Sequence, residues 1–405
     1  MKKRSIVFLV VVLVLILVVT VACGRVGTES TGGASGGGET TTSSGGDTGS
    51  TDSGGASVTQ RSDLENFVID PAQIPQEKLD TVLQVGCTIR DLGNPYLKSV
   101  TDGSAMFCDY LDSIGQKYEL TILAHDGNSD KQVSDVTAFA TKAQGNGIIY
   151  IDGNDAPTMV PLMEACQSQG TYCGFVWLMP PGHVPWEETT YILSMTPEQE
   201  QASFHVGEAI AKAMGEEGKI LMVGGDLVSD TALFRYNGAK AALDQYSGID
   251  QVEYDVCDWL SNKAQTIVET WLTKHPDVAG IWAAFDDGGL AAMQALDNVG
   301  LKGKVPIGGF DGTENFAREI AAGNATATVS ANGYMQGGYI LSIQYAVWTG
   351  LLTADEIPNE YRWFMTEGVV VTPDNVDKFI DDMFDNKPKL DFSKPWEYWI
   401  GPAPN

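Results

Sequence analysis

Histidine is scarce in this sequence, four in 405 residues, and none belongs to an HExxH metal motif. There is no P-loop, no GxSxG nucleophile turn and no GxGxxG fingerprint, so the common signatures of nucleotide hydrolysis, serine-dependent hydrolysis and dinucleotide chemistry are missing. Basic residues are the minority charge, 25 against 53 acidic, for a net charge of −28. Such a field repels a polyanion, and no basic stripe offsets it locally, which excludes nucleic acid as a partner. Cysteines are few, and their spacings match no zinc pattern. No metal and no cofactor are expected.

What is present is an ordinary globular balance, 43% apolar and 19% charged, in a chain long enough for two domains plus appendages. Lys2, Lys3 and Arg4 precede an almost unbroken apolar run over 6–19, followed by Val21, Ala22, Cys23 and Gly24. Basic, then apolar, then small residues describe a secretory signal over 1–22. The placement of Cys23 resembles a bacterial lipobox, in which that cysteine is lipidated and becomes the new N-terminus. Thr20 departs from the aliphatic residue usual three positions earlier. An uncleaved membrane anchor is the alternative; both put the rest of the chain outside the cytoplasm. Residues 24–62 are nearly all Gly, Ser, Thr, Ala and Asp, which reads as a disordered tether spanning roughly 35 Å. A signal in place of a helix-turn-helix excludes a repressor.

Cys87, Cys108, Cys166, Cys173 and Cys257 follow, an odd number outside the cytoplasm. Either Cys166 and Cys173 pair across a helix-to-strand turn, or all five are small buried hydrophobes. The run from Asp126 to Asp130 starts like a calcium loop. It has Lys131 where Gly is needed and Thr137 where Glu is needed, so it reads as a helix cap.

From about residue 80 the pattern is regular. Short apolar runs at 81–86, 120–124, 147–151 and 173–177 form one series; 219–223, 251–256, 278–284 and 305–309 form a second. Amphipathic stretches at 95–114, 130–143, 156–169, 198–214, 231–246, 263–273 and 288–299 alternate with them. Continuous apolar strands between helices mean parallel sheets covered on both faces. Two series predict an α/β fold of two doubly wound, Rossmann-like lobes, with ligand chemistry at the carboxyl ends of the strands.

The segment Gly86-Cys-Thr-Ile-Arg-Asp-Leu-Gly-Asn94-Pro95-Tyr96-Leu97 resembles the opening of ribose-binding-type periplasmic receptors. So does Leu123-Ala-His-Asp126-Gly-Asn128-Ser-Asp130-Lys-Gln132 at the second strand-to-helix turn. Thr273-Lys-His275-Pro276-Asp277-Val278, Ala283-Ala-Phe285-Asp286-Asp287-Gly288 and Gly308-Gly309-Phe310-Asp311-Gly312-Thr313 are similar to that family's second domain. The likeness runs in order from about 80 to 371. It implies the type I periplasmic binding protein fold, two lobes joined by a three-strand hinge and closing on a small ligand. By that resemblance one lobe is 80–194 plus 332–364 and the other 195–331 plus 365–378. The crossings fall near 194–196, 330–332 and 363–367. Residues 379–405, with Trp396, Tyr398 and Trp399, extend beyond the family pattern and read as a tail packed on a lobe.

The resemblance implies a binding site of Arg90, Asn94, Tyr96, Asp152, Trp177, Arg235, Trp259, Phe285, Asp287, Phe310, Asp311 and Asn332. Carboxylates, amides and guanidinium groups suit the hydroxyl rim of a sugar, and flat rings suit its C–H faces. Several positions depart from ribose receptors. Trp177 and Leu178 replace an Asp-Arg pair, Leu233 and Phe285 replace an Arg and an Asn, and Ala331 replaces a hinge Gln. Rings in place of polar groups point to a larger or less polar carbohydrate, or to a nonsugar such as a nucleoside. Asp91, Asp152, Asp226, Asp287 and Asp311 also permit a cationic ligand. The implied function is a monomeric, lipid-anchored, extracytoplasmic solute receptor delivering its ligand, a carbohydrate first, to ABC permease subunits. A sensor of the same fold, serving a chemoreceptor or histidine kinase, is the alternative; no catalytic group points to an enzyme.

Overall fold

The computed structural model describes residues 61–403 apart from 62, 228 and 387. The expected signal, Cys23 and nearly all of the expected tether lie outside the described residues. Among the described residues no helix is long and apolar enough to cross a membrane.

The strands are β1 (Leu83–Ile89), β2 (Tyr118–Ala124), β3 (Gly147–Asp152), β4 (Tyr172–Val176), β5 (Tyr191–Pro197), β6 (Glu217–Gly224) and β7 (Gly248–Val256). They continue with β8 (Val278–Ala283), β9 (Ile307–Gly308), β10 (Thr328–Ser330), β11 (Trp363–Thr366), β12 (Val369–Val371) and β13 (Gly401–Pro402). One sheet has the order β13-β11-β5-β4-β3-β1-β2, parallel except for β13; a second has the parallel order β7-β6-β8-β9. β10 and β12 form an antiparallel pair, joined to the β9 edge by bridges at Gly308–Ala327 and Asp311–Ser330. All seven residues of β1 are buried, because a central parallel strand is covered on both faces. All but one residue of the edge strand β7 are exposed or part-exposed, as an edge allows.

Helices α1 (Gln76–Asp80), α2 (Pro95–Ser113), α3 (Ser129–Ala143), α4 (Ala156–Gln167), α5 (Glu200–Ala213) and α6 (Asp230–Leu243) cover the sheets. So do α7 (Ser261–Lys274), α8 (Asp286–Asn298), α9 (Glu314–Ala321), α10 (Gly333–Trp348) and α11 (Val376–Ile380). Five strand-to-helix turns among the described residues end on a capping side chain: Asn94, Asn128, Asp155, Ser229 and Asn332 each accept a backbone N–H of the helix that follows. The calcium-like run therefore serves α3 as its cap.

The chain passes from the first sheet to the second after β5, and from β11 to β12. It returns between β10 and α10. β5 and β11 pair in register from Trp363–Ser194 to Thr366–Pro197, so both stay in the first sheet up to those residues. The C-terminal segment packs against β11, α2 and α10. Trp396 is buried and donates its Nε1 to the Tyr361 carbonyl at 3.0 Å, Trp399 stacks on Tyr361 at 4.6 Å, and Phe392 meets Phe107 and Tyr339. All five cysteines are buried and free. Of the two readings of Cys166 and Cys173, the structure holds the unpaired one, with both thiols buried inside the α4–β4 core.

Candidate functional site

The carboxyl ends of both sheets face a common cavity of about 130 Å³. For scale, an apolar cavity of about 150 Å³ takes one benzene ring, so this space suits a single six-membered ring. Each strand end contributes a wall. Arg90, Asn94 and Tyr96 follow β1, His125 follows β2, Asp152 ends β3, and Trp177 and Leu178 follow β4. Opposite them stand Asp226 after β6, Arg235 on α6, Trp259 after β7, Phe285 after β8 and Asp311 after β9.

Arg235 and Asp311 anchor the second-sheet wall. The Arg235 Nη1 donates to Asp311 Oδ1 at 3.0 Å and to the Ala284 carbonyl at 2.7 Å; its Nε donates to Gln199 Oε1 at 3.3 Å. The guanidinium lies 3.8 Å from the Phe310 ring centre, 5.0 Å from Trp177 and 5.6 Å from Trp259. Because Trp177 belongs to the first sheet, this cation–ring contact spans the cleft. Burial pushes the Asp311 carboxyl up to about 7, against the pull of Arg235 and with Asp287 adding to the rise. Asp286, beneath it, accepts from the Thr313 N–H and from the Thr313 and Thr328 hydroxyls, and burial raises it well above the usual carboxylate range. Burial likewise lifts Asp152 to about 7, opposed by Arg90 and Arg235.

The backbone is strained where the wall is made. Trp177, Trp259 and Asp311 have φ of +69°, +59° and +123°, conformations that bulky L-residues rarely adopt. Trp259 is fixed by its Nε1 donating to Asp226 Oδ2 at 2.7 Å and by an edge-on contact with Phe285 at 5.4 Å. Its side chain lines the cavity. Trp259→Ala is expected to weaken binding by roughly 1–3 kcal/mol, by analogy with stacking of bases on aromatic rings. An unchanged Kd with a lowered melting temperature would make Trp259 a packing residue instead.

Three residues of the expected site lie outside this wall. Phe310 is fully buried beneath Arg235, and Asp287 sits in the first turn of α8. Asn332, at φ +48°, uses its Oδ1 to accept the Met335 N–H and cap α10. Conversely, the wall includes residues the sequence analysis did not single out, chiefly His125, Asn154, Ser229 and Thr231. His125 is 1% exposed, and neither of its ring nitrogens has a hydrogen-bond partner among the described residues; the same holds for Asn154 Oδ1. Both residues line the cavity, so these atoms are free to bond to whatever occupies it. Burial, helped by Arg90 and Lys131, pushes His125 down to about 4, so it is neutral and offers one donor and one acceptor. Its position directly after a parallel strand was the signal that could have found it. Among the described residues no cluster of three or more His, Cys, Asp or Glu side chains could hold a metal ion.

Comparison with known proteins agrees with this architecture. Residues 85–351 match the periplasmic binding protein domain. The chain is similar to the xylitol-binding protein of Mycolicibacterium smegmatis, 24% identical over 76% of this chain and 82% of that one. It is also similar to the ribose import binding protein of Escherichia coli, 24% identical over 61% of this chain and 78% of the other. A twin-arginine translocation pathway signal protein from Burkholderia phytofirmans superimposes with a TM-score of 0.76 at 28% identity, covering 80% of this chain and 99% of its own. A match over most of the folded region, on two parallel-sheet lobes facing one ligand-sized cavity, places the chain in the periplasmic binding protein family: it is an extracytoplasmic solute-binding receptor and not an enzyme.

Proposed function

We propose that this receptor binds the ring of a sugar or sugar alcohol and delivers it to an ABC permease. The observation that carries this reading is the composition of the cavity wall. Hydroxyl-binding groups from both sheets (Asn94, His125, Asp152, Arg235, Asp311) surround a one-ring space flanked by Trp177, Trp259 and Phe285. Three of the four lining carboxylates are engaged within the protein, Asp311 with Arg235, Asp155 as the cap of α4 and Asp226 with the Trp259 indole, which favours a neutral ligand over a cationic one. The names of the xylitol-binding and ribose import relatives point the same way.

In this reading the two lobes, 80–194 plus 332–364 and 195–331 plus 365–378, move as rigid bodies about the crossings after β5, β10 and β11. A ligand that touches both walls favours the closed state. The chain acts as a monomer held to the membrane through a lipidated Cys23, with residues 24–62 as its tether.

A thermal-shift screen against pentoses, hexoses, sugar alcohols, nucleosides and polyamines tests the assignment. A ligand at 100 times its Kd stabilises a one-site protein by ~2.7 kcal/mol, a visible shift. The expected hits are sugars or polyols. Stabilisation by polyamines or nucleosides alone would overturn the sugar assignment.

A further inference from the structure

A second cavity, of about 800 Å³, adjoins the first and shares Trp177 and Leu178 with it. It lies on the hinge side of the cleft, between the loop that follows β4, the crossing strands β5 and β11, and the N-terminal ends of α5 and α6. Its size is that of a small-molecule site and several times what one ring needs. Its lining differs from that of the first cavity in kind. Met179, Met195 and Met365 join Trp177, Trp363 and Phe234, giving an apolar wall of rings and adaptable thioethers. Phe234 is 42% exposed, an uncovered aromatic face beside the ligand site. No Lys or Arg lines this cavity, whereas Glu198, Glu200 and Asp230 do, so it repels anions.

From this continuity, and resting on the sugar reading above, we infer that the site is bipartite: the natural ligand is a glycoside whose sugar ring fills the polar cavity and whose uncharged aromatic aglycone fills the apolar one. Trp177 stands at the junction. Its ring faces Arg235 at 5.0 Å and Tyr96 at 5.8 Å on the polar side and contributes to the apolar wall on the other. Leu178 lines both cavities beside it. The carboxylates at the far end exclude phosphorylated or carboxylated conjugates.

The test is a calorimetric titration of the full chain with D-xylose, D-glucose and D-galactose and with the methyl and phenyl pyranosides of each, in both anomers. For at least one sugar the phenyl glycoside is expected to bind at least tenfold tighter than the methyl glycoside, about 1.4 kcal/mol. Phe234→Asp and Met179→Asp, both at the accessible edge of the apolar cavity, are expected to erase that gain while leaving the methyl glycoside within twofold. Two variants guard against one failing to fold, and binding of the methyl glycoside reports folding in each. Equal affinities for phenyl and methyl glycosides, or a phenyl preference that survives both variants, would overturn the bipartite site while the sugar reading stands. Silence of every sugar and glycoside would instead remove the sugar reading on which it rests.

Discussion

Asp311→Asn is expected to weaken ligand binding at least a hundredfold while costing less stability at pH 7 than Asp311→Ala. The carboxylate sits at the cavity wall, held by Arg235 at 3.0 Å, where it can accept from two ring hydroxyls. Hydrogen bonds to a charged group contribute roughly 1.5–3 kcal/mol each, so weakening two of them suffices for a hundredfold loss, about 2.8 kcal/mol. Stability responds through two opposed effects. Burial raises this carboxyl to about 7, so Asn relieves the cost of an ionised buried carboxylate, but it also takes the counter-charge from the buried Arg235 guanidinium. Asn keeps the shape and can still accept from Arg235. Ala would leave the buried guanidinium without its partner, which is why Asn is the informative change. Affinity within threefold of the parent would show that the ligand binds elsewhere.

The largest loss of stability is expected from Arg235→Leu, and it should depend on pH. Removing one partner of a buried ion pair costs about 3–5 kcal/mol, because the remaining charge is uncompensated. Here Asp311 is left beside Asp286, which is fully buried. Both carboxyls titrate higher in the folded chain than in the unfolded one, where an Asp has a pKa of about 3.9. Stability tied to such groups is complete below about pH 4 and is lost as pH rises through the folded value, about 7 for Asp311. Arg235 opposes that loss by favouring the ionised Asp311. Urea unfolding should therefore show most of the variant's deficit at pH 8 and much less at pH 5, below the folded value of Asp311. His125 acts with the opposite sign between about pH 6.5 and 4. Its causes do not include Arg235, so it cancels in the comparison. An equal deficit at both pH values would show that Arg235 contributes packing and not charge compensation.

The sheets were legible because parallel strands buried on both faces leave continuous apolar runs, as β3 and β8 do. Strand ends were less legible. The first strand reads as stopping at Gly86, yet β1 continues to Ile89. That glycine is interior because a Cβ there would meet Ile149 and Phe139 at 2.8 Å. α10 is almost wholly buried, so it has no polar face and no helical period to read. Gly337 on that helix sits where a Cβ would lie 2.0 Å from the Val100 carbonyl of α2, which is how the two backbones come together.

The site was legible where chemistry coincides with a strand end. Arg90, Asn94, Tyr96, Asp152, Trp177, Trp259, Phe285 and Asp311 reach the wall from such ends, and Arg235 from the helix after β6. Asn332 looked equivalent and caps its helix as Asn94 does, but only Asn94 stands at the cavity wall. The pairing of Arg235 with Asp311, 76 residues apart, depends on how the second sheet folds back, and the isolation of His125 on how the loops after β1 and β2 pack around it. No local pattern encodes either.

The most direct test of a sugar site between the sheets is titration of the full chain, stripped of any bound molecule by unfolding and refolding, while tryptophan fluorescence is followed. Trp177 and Trp259 line the cavity, so occupancy should change their emission. With xylitol, D-ribose, D-allose, D-xylose, D-glucose and D-galactose, the account predicts a saturable, one-site change for at least one, and its loss in Asp311→Asn. A flat response to every sugar and polyol, or a response that Asp311→Asn leaves intact, would contradict it.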